Sequence, residues 1–117
     1  MVEERDPHGL GAHEPGAKMD AGKNQVGLLL QFSRALLAVA EISTYGAKKY
    51  SRGGWQHVED AESRYTDAML RHLFDDVVEE CDQESGLKHA AHLAWNALAR
   101  LELILRYEEE AGHDGKA

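Results

Sequence analysis

The chain has 117 residues, a formal net charge of −8 and one cysteine. That length holds one domain. The acidity argues against nucleic acid or an anionic membrane as partner, because both need a basic surface. A nucleotide ligand remains compatible, since it needs only a local basic patch.

Cys81 leaves no internal disulfide, which fits the cytoplasm. The N-terminus, MVEERDPHGLGAHEPGAK, lacks the apolar stretch of a secretory signal. Apolar runs are short, and no membrane span is expected. Residues 1–24 are rich in Gly, Pro and charge and read as an extended arm. KMDAGK, with Lys18, Asp20 and Lys23, is an odd cluster for an idle tail.

The first helix is predicted over 27–45. Leu29, Phe32, Leu36, Leu37, Val39, Ala40 and Ile42 make it apolar around much of its circumference, more than one small partner would bury, so a homo-oligomer is expected. Gly46 suits a C-cap. The polar connection AKKYSRGGWQHVEDAES follows, too long for an idle loop in a compact domain. A second helix is predicted from Ser63 to Glu80 or Asp82, capped by Ser63 or Asp60. The third starts near Leu87 and ends near Glu109, leaving 112–117 as a disordered tail. No alternating Val/Ile/Thr run predicts a strand, and the class is all-α.

A helix turns by about 100° per residue. Continued to position 82, the second helix would carry Arg71, His72, Asp75, Glu79 and Asp82 on about one third of its circumference. Leu70, Leu73, Phe74 and Val77 would form the core stripe opposite. The third helix is apolar almost all round, except for a seam of His89, His92, Asn96 and Arg100 within about 80°. A buried polar seam is costly unless satisfied. A short link around Glu84-Ser85-Gly86 would make the two helices antiparallel and set the acid face against this seam.

An acidic helix face is usually just solvated, and a buried histidine pair is usually structural. The combination of Glu79-x-x-Asp82 with His89-x-x-His92 favours function. Carboxylates at i and i+3 offer hard oxygen ligands suited to Mg²⁺ or Mn²⁺, with more than one ion expected. Glu79 and Asp82 are the expected ligands, assisted by Asp75, Glu80 or Glu84; Glu79, Asp82 and Glu80 are the expected catalytic carboxylates. H-E-x-x-H and the paired Glu-x-x-His of di-iron bundles are absent. No Ser or Cys nucleophile with its base is evident. An oxygen-ligated metal beside a basic, aromatic loop points to phosphate chemistry on a nucleotide.

KMDAGK, TYGAKKYSRGGW, RHL and EECDQESGLKHAAHLAWN together resemble the phage dATP/dGTP diphosphohydrolase family of MazZ type, related to all-α MazG pyrophosphatases. The resemblance covers residues 16–100, with Val78 where that family usually has glycine. It implies a MazG-like bundle of three to four helices, a nucleotide pyrophosphohydrolase domain over 25–111, and a dimer or tetramer. It also implies hydrolysis of dGTP and dATP to the monophosphate and pyrophosphate, supplying dGMP where 2-aminoadenine replaces adenine. Lys18, Asp20, Lys23, Lys49, Tyr50, Trp55, Arg71, His72, His89, His92 and Asn96 become the expected substrate-binding set, with metal ligation or hydrogen bonding to a ligating carboxylate the alternatives for His89 and His92. Lysines suit phosphates, a ring can stack on a base, and Asp20 can accept from a guanine amino group. For Trp55, pinning the loop to the core is an equal alternative. A general house-cleaning pyrophosphatase, a non-catalytic nucleotide-binding module and a purely structural helical dimer are the competing readings.

Overall fold

In the computed structural model, which describes residues 3–114, the chain forms two compact units, 1–32 and 33–117. Part of the expected tail, 115–117, lies outside the described residues.

The N-terminal unit is built from tight turns around one carboxylate. Asp6 is buried, and its oxygens accept the backbone N–H groups of His8 at 2.8 Å, Leu10 at 3.2 Å and Lys18 at 2.9 Å. The Lys18 bond is the main reason its carboxyl sits below the ordinary range. The Ala21 N–H reaches the Arg5 carbonyl, closing the loop. Gly9, Gly16 and Gly22 take positive φ at its corners. Lys23 lies 3.9 Å from Glu4, both exposed. A 3-10 helix, Val26–Phe32, ends the unit with Val26, Leu28, Leu29, Leu30 and Phe32 exposed.

The second unit contains α1 (Ser33–Lys49), α2 (Ala61–Val78) and α3 (His89–Asp114). This is the all-α class expected, with three helices. Helix α3 is the centre: both α1 and α2 pack on it. Its near-continuous apolar surface therefore has partners on two sides, as a helix apolar all round requires.

Several expected boundaries move. Gly46 is not a C-cap; α1 continues through it to Lys49, ending with two lysines where the helix dipole favours cations. Asp60 precedes α2 with a left-handed backbone but makes no capping side-chain bond. Helix α3 starts at His89 and runs past Gly112. The largest change is at the end of α2. Val78 is its last residue, and Glu79 is extended at φ −147° and ψ 134°. The geometric acid face counted through Asp82 therefore does not exist as one helical surface.

The core stripe also differs. Tyr65, Thr66, Met69 and His72 form the partly covered side of α2, whereas Leu70, Leu73, Phe74 and Val77 are exposed, Phe74 at 71% and Val77 at 84%. The side toward α3 is chosen by polar pairing. Arg100 Nε donates to Thr66 Oγ1 at 2.7 Å, and the His72 and His89 rings meet. Ile42, Ala91 and Ala99 are the buried apolar residues of this unit among the described residues. By length and composition alone, Val26–Lys49 is apolar enough to cross a membrane.

The α2–α3 link is a hairpin over 79–88. An isolated antiparallel bridge joins Cys81 and Lys88. The Asp82 N–H donates to the Leu87 carbonyl, and the Gly86 N–H to the Asp82 carbonyl, both at 2.8 Å. Gly86 turns the corner at φ +74°, where a Cβ would meet no atom within 4 Å but would strain the backbone. Gly46, inside α1 with equally open space, has no such need. Gly86→Ala is expected to cost about 1–2 kcal/mol, and Gly46→Ala to stabilise by about 0.5–1 kcal/mol. Urea unfolding followed by circular dichroism should separate the two in opposite directions.

Candidate functional site

The hairpin sets Asp82 beside the first turn of α3. One carboxylate oxygen accepts the Ser85 N–H at 2.8 Å, and the Ser85 hydroxyl accepts the Leu87 N–H at 3.1 Å. The same hydroxyl lies 2.7 Å from His92 Nε2. His89 and His92 are buried, as is Asn96, whose Nδ2 donates to the His92 carbonyl at 2.8 Å. The seam on α3 is thus satisfied, as its burial demands.

His72 comes from α2 to complete the cluster. Its Nδ1 lies 2.9 Å from His89 Nδ1, and its ring stacks on His92 with 4.4 Å between centroids and 7° between planes. One nitrogen of the Nδ1 pair must donate and the other accept. Burial lowers the His72 pKa, with His92 and His89 adding to the effect. Burial likewise lowers that of His92, against the pull of Asp82. The 4.0 Å approach of His92 to Asp82 is therefore not an ion pair at neutral pH. For Asp82, burial acts upward but is outweighed. Ser85 bonds, with His92 and His72 nearby, hold the carboxyl below its ordinary value. His72, Asp82 and His89 each offer a ligand atom, all within 4.8 Å of one another.

Helix α1 brings its last turn to the same place. Lys49 pairs with Glu84 at 2.5 Å, which is the main reason its pKa is raised. Its ammonium lies 5.1 Å from the Tyr50 ring and 6.0 Å from that of Tyr45. Tyr45 meets His92 edge-on at 6.2 Å between centroids. Burial raises the Tyr45 phenol and Glu84 adds to it. The sequence reading missed Tyr45; its position four residues before Lys49 places both on one helical face. Ser85, read only as part of the link, proves to be the joint between the turn and His92.

Other expected residues stand apart. Arg71, Asp75 and Glu79 are exposed, and Glu79 accepts from Gln83 at 3.0 Å. Glu80 is paired with Lys88, which lowers its pKa. Trp55 lies in a short 3-10 helix, Gly54–His57, packed edge-on against Trp95 at 6.0 Å. Tyr65 donates to the Trp55 carbonyl at 2.6 Å and also abuts Trp95. Lys18, Asp20 and Lys23 belong to the N-terminal unit.

The model of the family described as "dATP/dGTP diphosphohydrolase, N-terminal" matches residues 13–113. The chain belongs to that family. A curated relative, the dATP/dGTP diphosphohydrolase of Salmonella phage PMBT28, is 36% identical over 80 residues, which are 68% of this chain. The chain spans about a quarter, 26%, of that relative's length. No solved structure matches.

The imidazole shifts set a pH dependence. His72 and His92 bind protons less well folded than unfolded, where the ordinary value is 6.5. Their stabilisation is complete above that value. It is lost as the pH falls from 6.5 through their lower folded values, because the unfolded chain takes up protons first. In chelator, the urea midpoint should drop over this range, and His72→Gln should flatten the drop. A wild-type midpoint constant from pH 7 to 5 would contradict the cluster.

Proposed function

We propose that this chain hydrolyses dATP and dGTP to the nucleoside monophosphate and pyrophosphate. The observation that carries the reading is the convergence of Lys49, Asp82 and the three imidazoles within a segment matched to the family almost end to end. Base stacking on the exposed Tyr50 ring and phosphate binding by Lys49 give the triphosphate a place. Asp82, held by the Ser85 N–H beside the imidazoles, is the carboxylate best placed to orient an attacking water, directly or through a bound ion. His89, His92 and Asn96 hold the hairpin and α3 in register. Glu80 is engaged by Lys88.

Mg²⁺ or Mn²⁺ belongs to the proposal. The donor chemistry fits: Asp82 lies at the centre, with Glu84 nearby and Glu79 and Asp75 exposed. A bound ion supplies neutralisation of phosphate charge and a more acidic water. In a phage that replaces adenine by 2-aminoadenine, the reaction would deplete dATP and supply dGMP. Chromatography of products from dGTP, dATP, dCTP and dTTP is the test. Purine substrates should yield monophosphate and pyrophosphate, and Asp82→Asn should cost about 100-fold or more in kcat. Lys49→Ala should lower kcat/KM about tenfold with helical content unchanged. Equal use of all four substrates would favour a house-cleaning enzyme; binding without turnover would favour a sensor.

Assembly is the second part of the proposal. The exposed Leu70, Leu73, Phe74 and Val77 on α2, and Leu36 and Leu37 on α1, form more apolar surface than a lone small domain leaves open. A second copy of this chain is the proposed occupant, giving a dimer or a tetramer. Light scattering at micromolar concentration should give at least twice the 13.0 kDa of one chain, and Phe74→Glu should shift it toward monomer. A wild-type monomer would overturn the assembly.

A further inference from the structure

We propose that His72, Asp82 and His89 form a site for a single first-row transition ion, such as Mn²⁺, Co²⁺ or Zn²⁺, bound through imidazole nitrogen and preferred over Mg²⁺. The three donors come from α2, the hairpin and the start of α3, with ligand atoms within 4.8 Å of one another. Two features favour an ion over a merely structural pair. The Nδ1 atoms of His72 and His89 lie 2.9 Å apart, so one N–H bridges them in the ion-free site, and moving that hydrogen to Nε2 of the same ring frees both Nδ1 lone pairs for one ion. The third donor is anionic and already fixed in orientation by the Ser85 N–H. Such support of a ligating carboxylate is what a working site needs.

The donor set decides the ion. Two imidazoles and one carboxylate suit Mn²⁺, Co²⁺ and Zn²⁺, while Mg²⁺ prefers oxygen and keeps its waters. Three protein ligands leave positions for water or phosphate oxygen, the pattern of catalytic rather than structural sites. His92 is not a ligand through Nε2, because that nitrogen is engaged by the Ser85 hydroxyl at 2.7 Å. It stacks on His72 and keeps that ring in place. This deepens the proposed reaction, which needs a divalent ion beside phosphate, but it stands on geometry of its own and is tested without turnover.

The probes are the metals alone, added to the full chain after chelation. Calorimetric titration should give Co²⁺ or Zn²⁺ an affinity at least tenfold above that of Mg²⁺, with about one ion per chain. Co²⁺ should show the visible absorption of a nitrogen-ligated ion. His72→Gln and Asp82→Asn should each weaken binding at least tenfold, while His57→Ala, an exposed histidine elsewhere, should not. Should a variant fail to fold, ¹⁵N spectra of the wild-type imidazoles decide the matter. Zn²⁺ should shift Nδ1 of His72 and His89 and leave Nε2 of His92 in place. Unchanged Nδ1 signals, equal affinity for Mg²⁺ and Zn²⁺, or loss of binding only in His57→Ala would each overturn the site. Tight Zn²⁺ binding with no turnover of dATP or dGTP in Mn²⁺, Co²⁺ or Mg²⁺ would overturn the proposed reaction and leave the site standing.

Discussion

Everything in the helical unit depends on how Asp82 closes the hairpin. Its backbone N–H and carbonyl pair with Leu87 and Gly86, and its side chain takes the Ser85 N–H. Three bonds from one residue hold α2 and α3 antiparallel at a fixed offset. That offset brings His72 level with His89 and stacks it on His92. Shifting either helix by one residue would turn the imidazoles about 100° away from each other. The residue that positions the cluster is also the carboxylate of the His72–Asp82–His89 group, so the fold and the proposed site share one side chain.

The polar contacts also decide which way α2 faces. An apolar stripe was available in Leu70, Leu73, Phe74 and Val77, yet the helix turns Tyr65, Met69 and His72 toward the unit's interior instead. Arg100 with Thr66 and Glu62 guides one end, and the imidazoles guide the other. Buried polar groups without partners are expensive, so once the α3 seam is covered, the side that satisfies it must be the covering one. The apolar stripe is left for something else.

The helices and the α3 seam were legible because both rest on periodicity, which survives without tertiary context. His89, His92 and Asn96 are buried as the seam implied. The end of α2 was not legible. DDVVEEC carries no Gly or Pro to stop a helix, and the helix stops at Val78 because the next residues pair across the hairpin. Counting the helix onward put Glu79 and Asp82 on one face; in the fold Asp82 turns to the imidazoles and Glu79 toward Gln83. Likewise Gly46 reads locally as a stop, but α1 continues to carry Lys49 to Glu84. Trp55 and Trp95, forty residues apart, meet only because the loop returns to α3, a pairing without any local signal.

The Lys49–Glu84 pair has a consequence of another kind. It is a lock already holding a key. Any anion that is to use Lys49 must first displace a carboxylate carried by the chain itself, so a weakly charged visitor gains little by the exchange. A polyphosphate, with several negative oxygens close together, can outbid a single carboxylate and set it loose beside Asp82. If phosphate comes to Lys49 as proposed, this internal rival would act as a charge threshold at the end of α1.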